Sequence, residues 1–99
     1  MPLTPMAARV TDMHTCPMVV PPPHVGGPIL PPCSPNVIIA GFPAARVTDL
    51  AFCATGPPDV IVKGSGSVLV NSLAAARQFD QTTHGGIITL GCPTVLIGG

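Results

Sequence analysis

The 99-residue chain contains no tryptophan, no tyrosine and no glutamate, and only three phenylalanines. Aromatic side chains bury the most area per residue, so their scarcity thins the core of a domain that is already short. Charge is scarce too, at 8% of residues with a net charge of zero. The one lysine and three arginines are spread without a basic run, which excludes the phosphate-backbone footprint of a nucleic-acid binder. The opening Met1-Pro2-Leu3-Thr4-Pro5 has neither a charged nor an apolar segment of the kind a secretory signal needs. Residues 13–45 carry no charge, but the nine prolines among them would break the helix a bilayer demands.

What is present points to one small ordered domain spanning residues 1–99. Hydrophobic residues make up 46% of the chain, too many for disorder. With so few charges to clothe the surface, some apolar area is expected to meet a partner. Fourteen prolines and eleven glycines exclude long helices.

The chain repeats itself. Met6-Ala7-Ala8-Arg9-Val10-Thr11-Asp12 returns as Pro43-Ala44-Ala45-Arg46-Val47-Thr48-Asp49 and, more loosely, as Ala74-Ala75-Ala76-Arg77-Gln78-Phe79-Asp80. A β-branched element also occurs three times, at residues 35–41, 66–72 and 93–99. Each of the first two β elements runs directly into an Ala-Ala-Arg element. The last β element ends the chain, and the first Ala-Ala-Arg element lacks a β element before it. Closing three units into a ring would therefore bring the termini together with pseudo-threefold symmetry. Alanine richness favours helix at residues 73–79 by propensity, but the valine and threonine of its two counterparts favour extended structure, and all three are expected to be extended. Residues 21–23 and 28–35 read as stiff, proline-rich loops.

Six of the eight charged residues lie in the three Arg-x-x-Asp elements. Arginine has five donors and aspartate accepts turn N–H groups, so these pairs are expected to tie the units together rather than bind ligands. That leaves Asp59 and Lys63. Asp59 follows Gly56-Pro57-Pro58 and reads as a turn or strand-start residue, not a general base.

Soft or borderline metal ligands recur after the repeat aspartates: His14 two residues after Asp12, Cys53 four after Asp49, His84 four after Asp80. Threefold closure would bring such side chains together near the axis. His24, just before Gly26-Gly27, is placed to fold over as a further ligand, and Gly85-Gly86 follow His84 in the same manner. Three imidazoles and one thiolate form a closed tetrahedral set suited to structural zinc. The residues leave the cysteine open: Cys16 is also near His14, whereas Cys33 and Cys92 sit at the starts of β elements and read as buried small hydrophobes. A Cys16–Cys33 disulfide is the oxidised alternative. A zinc hydrolase with an open three-histidine site is the enzymatic alternative, and the shortage of a spare base weighs against it.

With these residues the chain resembles the PAAR-repeat proteins, named for the motif intact at Pro43-Ala44-Ala45-Arg46; the other two copies depart at the proline. Asp12-Met13-His14-Thr15-Cys16-Pro17, Pro23-His24-Val25-Gly26-Gly27-Pro28, Gly56-Pro57-Pro58-Asp59, Thr83-His84-Gly85-Gly86 and residues 91–98 are also similar to family segments. The resemblance implies a small, mainly β, conical domain with a zinc-stapled apex. It implies His14, His24, Cys53 and His84 as the zinc ligands, because Cys53 matches the family cysteine before Gly-Pro-Pro-Asp. It implies a non-catalytic tip that caps a trimeric VgrG-type spike of type VI secretion, one copy per trimer, with transient contact with a target membrane and separate effectors as further cargo. Such a protein would assemble in the bacterial cytoplasm and be ejected without a signal peptide. Because the chain runs from its first repeat to its last β element, no fused effector is expected.

Overall fold

The computed structural model describes residues 4–17, 26–53 and 58–98. The stiff loop expected at residues 21–23, and residues 56 and 57 of the turn expected before Asp59, lie outside the described residues. Within them the fold is mainly β, with short strands and no helix: β1 (Met6–Ala7), β2 (Ser34–Ile39), β3 (Phe42–Ala44), β4 (Leu50–Ala51), β5 (Asp59–Val60), β6 (Leu69–Val70), β7 (Leu73–Ala74) and β8 (Cys92–Leu96). No described helix is long and apolar enough to cross a membrane.

Strands pair as antiparallel neighbours, β2 with β3, β4 with β5 and β6 with β7, while β8 pairs with β1 and so joins the two ends of the chain. The β2–β3 and β6–β7 turns each place two successive residues at positive φ, Ala40 and Gly41 (47° and 90°) and Asn71 and Ser72 (51° and 69°). This tight turn matches the twist of the flanking strands. The third unit makes the equivalent pairing without a covalent turn, and there the Ile97 N–H donates to the Pro5 carbonyl at 3.0 Å. The expected meeting of the two ends is thus realised by β1 and β8.

Closure of the ring is written in the backbone. The Ala8 N–H donates to Ala76 O, Ala76 to Ala45 O, and Ala45 to Ala8 O, each at 3.0 Å. These alanines are each 1% exposed. Three segments of the chain converge there, and a larger side chain would hold them apart; this packing overrides the helix propensity of residues 73–79. The same cycle repeats one step on, as Val10 donates to Pro43 O, Val47 to Ala74 O and Gln78 to Met6 O. The chain then turns through Thr11, Thr48 and Phe79, with φ of 76°, 83° and 75°.

Each turn is closed by its Arg–Asp pair. The arginine N–H donates to aspartate Oδ2 at 2.8, 2.8 and 2.7 Å, and the guanidinium holds both carboxylate oxygens. The hydrogen bond to aspartate, against the cost of burial, raises the pKa values of Arg9 and Arg46. Spare donors reach across the fold: Arg46 to Cys33 O, Arg77 to Gly64 O and Gly98 O. Arg9 lies over the Phe42 ring, 5.2 Å from its centroid, a cation–π contact. The structural role expected of these charges is met.

Beyond the turns each unit makes a short return. Met13 bridges Pro28, Leu50 pairs with Val60, and Gln81 bridges Ile87. The next residues, Ile29, Ile61 and Ile88, cross to the neighbouring unit and bridge Ala51, Thr82 and His14. They form the buried centre of one apolar cluster with Ala8, Ala45, Ala76, Ala51, Val10 and Cys33. A second cluster, Ala7, Ala44, Ala75, Val70 and Ile97, packs under the β2, β6 and β8 elements.

Candidate metal centre

Two residues past each bridge position the three units bring their side chains together. Cys16, Cys53 and His84 offer ligand atoms that all lie within 4.8 Å of one another. Each sits four residues after its repeat aspartate, Asp12, Asp49 and Asp80, so the cluster is the threefold-equivalent set. Cys16 Sγ is 3.7 Å from Cys53 Sγ and 3.4 Å from His84 Nδ1. Tetrahedral zinc with bonds of about 2.3 Å to sulfur and about 2.05 Å to nitrogen would separate two sulfurs by about 3.75 Å, and sulfur from nitrogen by about 3.55 Å. The donors therefore fit zinc in both chemistry and spacing.

Of the four expected ligands, Cys53 and His84 lie in this cluster, and His24 lies outside the described residues. His14 is placed differently. Its side chain is fully buried two residues after Asp12, where the other units have Ala51 and Thr82. Its Nδ1 is 2.8 Å from Gly27 O, and its Nε2 is 3.2 Å from Asp59 Oδ2. The first unit brings Cys16, not His14, into the cluster. The physical reason is that β pairing ends at offset two, at His14, Ala51 and Thr82, and the chain is irregular beyond it, so the side chain at offset four leaves the isoleucine layer and joins the cluster. Counting the offset strictly, as four in all three repeats, is the sequence signal that finds Cys16.

Asp59 is the other residue whose part the sequence understated. It begins β5, as a strand-start residue should, but its carboxylate turns inward and is fully buried. Burial acts to raise its pKa; the nearby Thr82 hydroxyl, hydrogen bonds from the His84 N–H and the Thr83 hydroxyl, and the adjacent His84 outweigh burial and hold the pKa below the usual carboxylate value. Oδ2 and His14 Nε2 face each other without good hydrogen-bond geometry to any group.

Two glycines let the loops close on this centre. A Cβ at Gly26 would lie 2.1 Å from His14 O, and one at Gly86 only 1.7 Å from Thr15 O. Both glycines thus press on the segment that leads to Cys16, and each follows a histidine, His24 or His84, by two residues.

Residues 19–90 match the PAAR motif family. The chain belongs to that family. This places it among the structural spike-tip proteins of type VI secretion. The PAAR span takes in His24, Cys53 and His84, with Cys16 just ahead of it. No individually curated protein matches the chain.

Proposed function

We propose that this PAAR protein is a non-catalytic tip that caps one trimeric VgrG-type spike, one chain per trimer, and that one zinc ion staples its apex. The observation that carries the reading is a triad of exposed aliphatic side chains on the closed ring. Ile38, Leu69 and Leu96 occupy the same position in the three β elements and are 55%, 64% and 56% exposed. Large aliphatic groups left in water at three equivalent places favour burial against a partner that repeats three times about an axis. A single chain with pseudo-threefold symmetry meets that requirement without a symmetry mismatch.

Zinc is assigned to Cys16, Cys53 and His84, with His24 as the fourth ligand. His24 precedes Gly26 as His84 precedes Gly86, and both glycines crowd the backbone next to Cys16. Thiolates and imidazoles in a filled tetrahedral set supply folding energy rather than an open position for water. His14 remains with Asp59 and Gly27. Assembly in the bacterial cytoplasm, ejection with the spike and carriage of separate effectors belong to the same reading.

The test is a native mass spectrum of the chain mixed with the trimeric spike protein of its own genome. The expected peak is one chain and one zinc on one trimer, lost in a Leu69→Asp variant. Three chains per trimer would sink the symmetry argument. Zinc retained by Cys16→Ser but lost by His14→Asn would return the ligand set to His14.

A further inference from the structure

The pseudo-threefold arrangement has one conspicuous break beside the metal cluster. In the three returns, the residue before the bridge partner is Gly27, Asp59 or Gly86. Two units place no side chain there. The third places a fully buried carboxylate, although burying a charge is costly and the ring closes without one at the other two positions.

Asp59 spends that carboxylate on the segments that carry ligands. Its Oδ1 accepts from the Val60 N–H at 3.0 Å, the Thr83 hydroxyl at 2.8 Å and the His84 N–H at 2.9 Å. Its Oδ2 faces His14 Nε2 at 3.2 Å, and His14 is in turn 2.8 Å from Gly27 O. One side chain thereby joins the loop ending in His84, the segment two residues from Cys16 and the return that follows His24. Metal-ligating histidines depend on such outer partners for orientation, and loss of one typically weakens metal binding about 10–100-fold.

We propose that Asp59 is the positioning residue of the metal centre, with His14 as its buried partner. It holds the His84 backbone through Oδ1 and braces the Cys16 segment through His14, so ligands from different units stand at binding distance before the ion arrives. The inference rests on the reading of Cys16, Cys53 and His84 as a metal site.

The test titrates Zn²⁺ into the metal-free protein against a chromophoric chelator, with the Co²⁺ spectrum and metal-free melting recorded for each variant. Wild type should take one ion. Asp59→Ala should still take one ion but bind it at least about tenfold more weakly, with a changed Co²⁺ spectrum. Asp59→Asn keeps the Oδ1 acceptor and should recover to within about threefold of wild type. Should Asp59→Ala fail to fold, Thr83→Val removes one Oδ1 donor from an exposed position; weaker Zn²⁺ binding at unchanged metal-free melting is then expected. Wild-type affinity in Asp59→Ala, or in Thr83→Val where only that variant folds, would overturn the positioning role while leaving the metal site in place. A wild-type protein that takes no Zn²⁺ would overturn the metal reading and this inference with it.

Discussion

In the middle of the ring the three units make the same bonds: the alanine cycle, the left-handed turn and the Arg–Asp clasp recur with distances that agree within about 0.2 Å. At the apex the same three units diverge. Offset four carries cysteine, cysteine and histidine; offset two carries histidine, alanine and threonine; the returns carry glycine, aspartate and glycine. The middle is held by backbone groups, which every residue possesses, and needs only that the side chains be small. The apex is held by side-chain chemistry, which the repeat cannot supply three times over. A symmetric scaffold can therefore be robust where it is repetitive and still depend on single residues where it converges.

That contrast is broken most severely by removing the zinc proposed for the cluster. Structural zinc can contribute on the order of 10 kcal/mol to a small domain, and a shift of 1 kcal/mol moves the melting temperature of a domain this size by about 4–8 °C. Chelation, or Cys53→Ser, should lower melting by tens of degrees and erase the cooperative transition near the wild-type temperature. Calorimetry with and without chelator checks this. A melting curve indifferent to chelation would mean that the ring alone carries the fold.

Next in size is a methyl group at Gly86. Its Cβ would lie 1.7 Å from the Thr15 carbonyl oxygen, so the loop must move. Gly86→Ala should cost about 3 kcal/mol or more and weaken metal binding as well, because His84 moves with it. Gly41 is the control: its φ is 90°, but nothing lies within 4 Å of an added Cβ, so Gly41→Ala should cost only about 1 kcal/mol through left-handed strain. Chemical denaturation of the two variants sharpens the distinction between crowding at the apex and turn geometry at the opposite end.

Within the ring's middle, the three clasps have the same geometry but differ in burial. Side-chain exposure of the pair is 10% and 3% for Arg77–Asp80, against 17% and 12% for Arg46–Asp49. Removing one partner strands the other, and the penalty grows with burial. Asp80→Ala should cost about 3 kcal/mol and Asp49→Ala about 1–2 kcal/mol. Equal losses in urea unfolding would show that solvent reaches the two clasps alike.

The same division governs what the sequence made legible. The repeats, the extended Ala-Ala-Arg elements, the ring closure and the structural role of the charges were all readable, because each rests on a pattern stated three times. Cys53 and His84 were readable because they share one offset from their aspartates. Cys16 shares it too, whereas His14 lies nearer to Asp12, and where β pairing ends, at His14, Ala51 and Thr82, is what separates the two offsets in the fold. Asp59 was read correctly as a strand start and incompletely as a side chain. Its inward turn follows from contacts with His14 and residues 82–84, more than twenty positions away on either side, and no local pattern encodes them.

The mildest prediction concerns Cys33, which lies in the ring's apolar cluster and away from the apex. Burial, and after it the Asp49 carboxylate, push its thiol from an ordinary value near 9.0 to about 12. Between those values the unfolded chain gives up the proton while the folded chain keeps it, so the folded state binds more protons and stability must fall as pH rises. The contribution is fully present below about pH 9 and lost on approach to pH 12, with a slope of at most about 1.4 kcal/mol per pH unit. The chain holds three further thiols, Cys16, Cys53 and Cys92, so the test is a difference: urea unfolding of wild type and Cys33→Ala at pH 8 through 11. Wild type should lose stability more steeply than the variant. Parallel slopes would mean that water reaches the Cys33 thiol, and that the middle of the ring is less tightly closed than its backbone cycle implies.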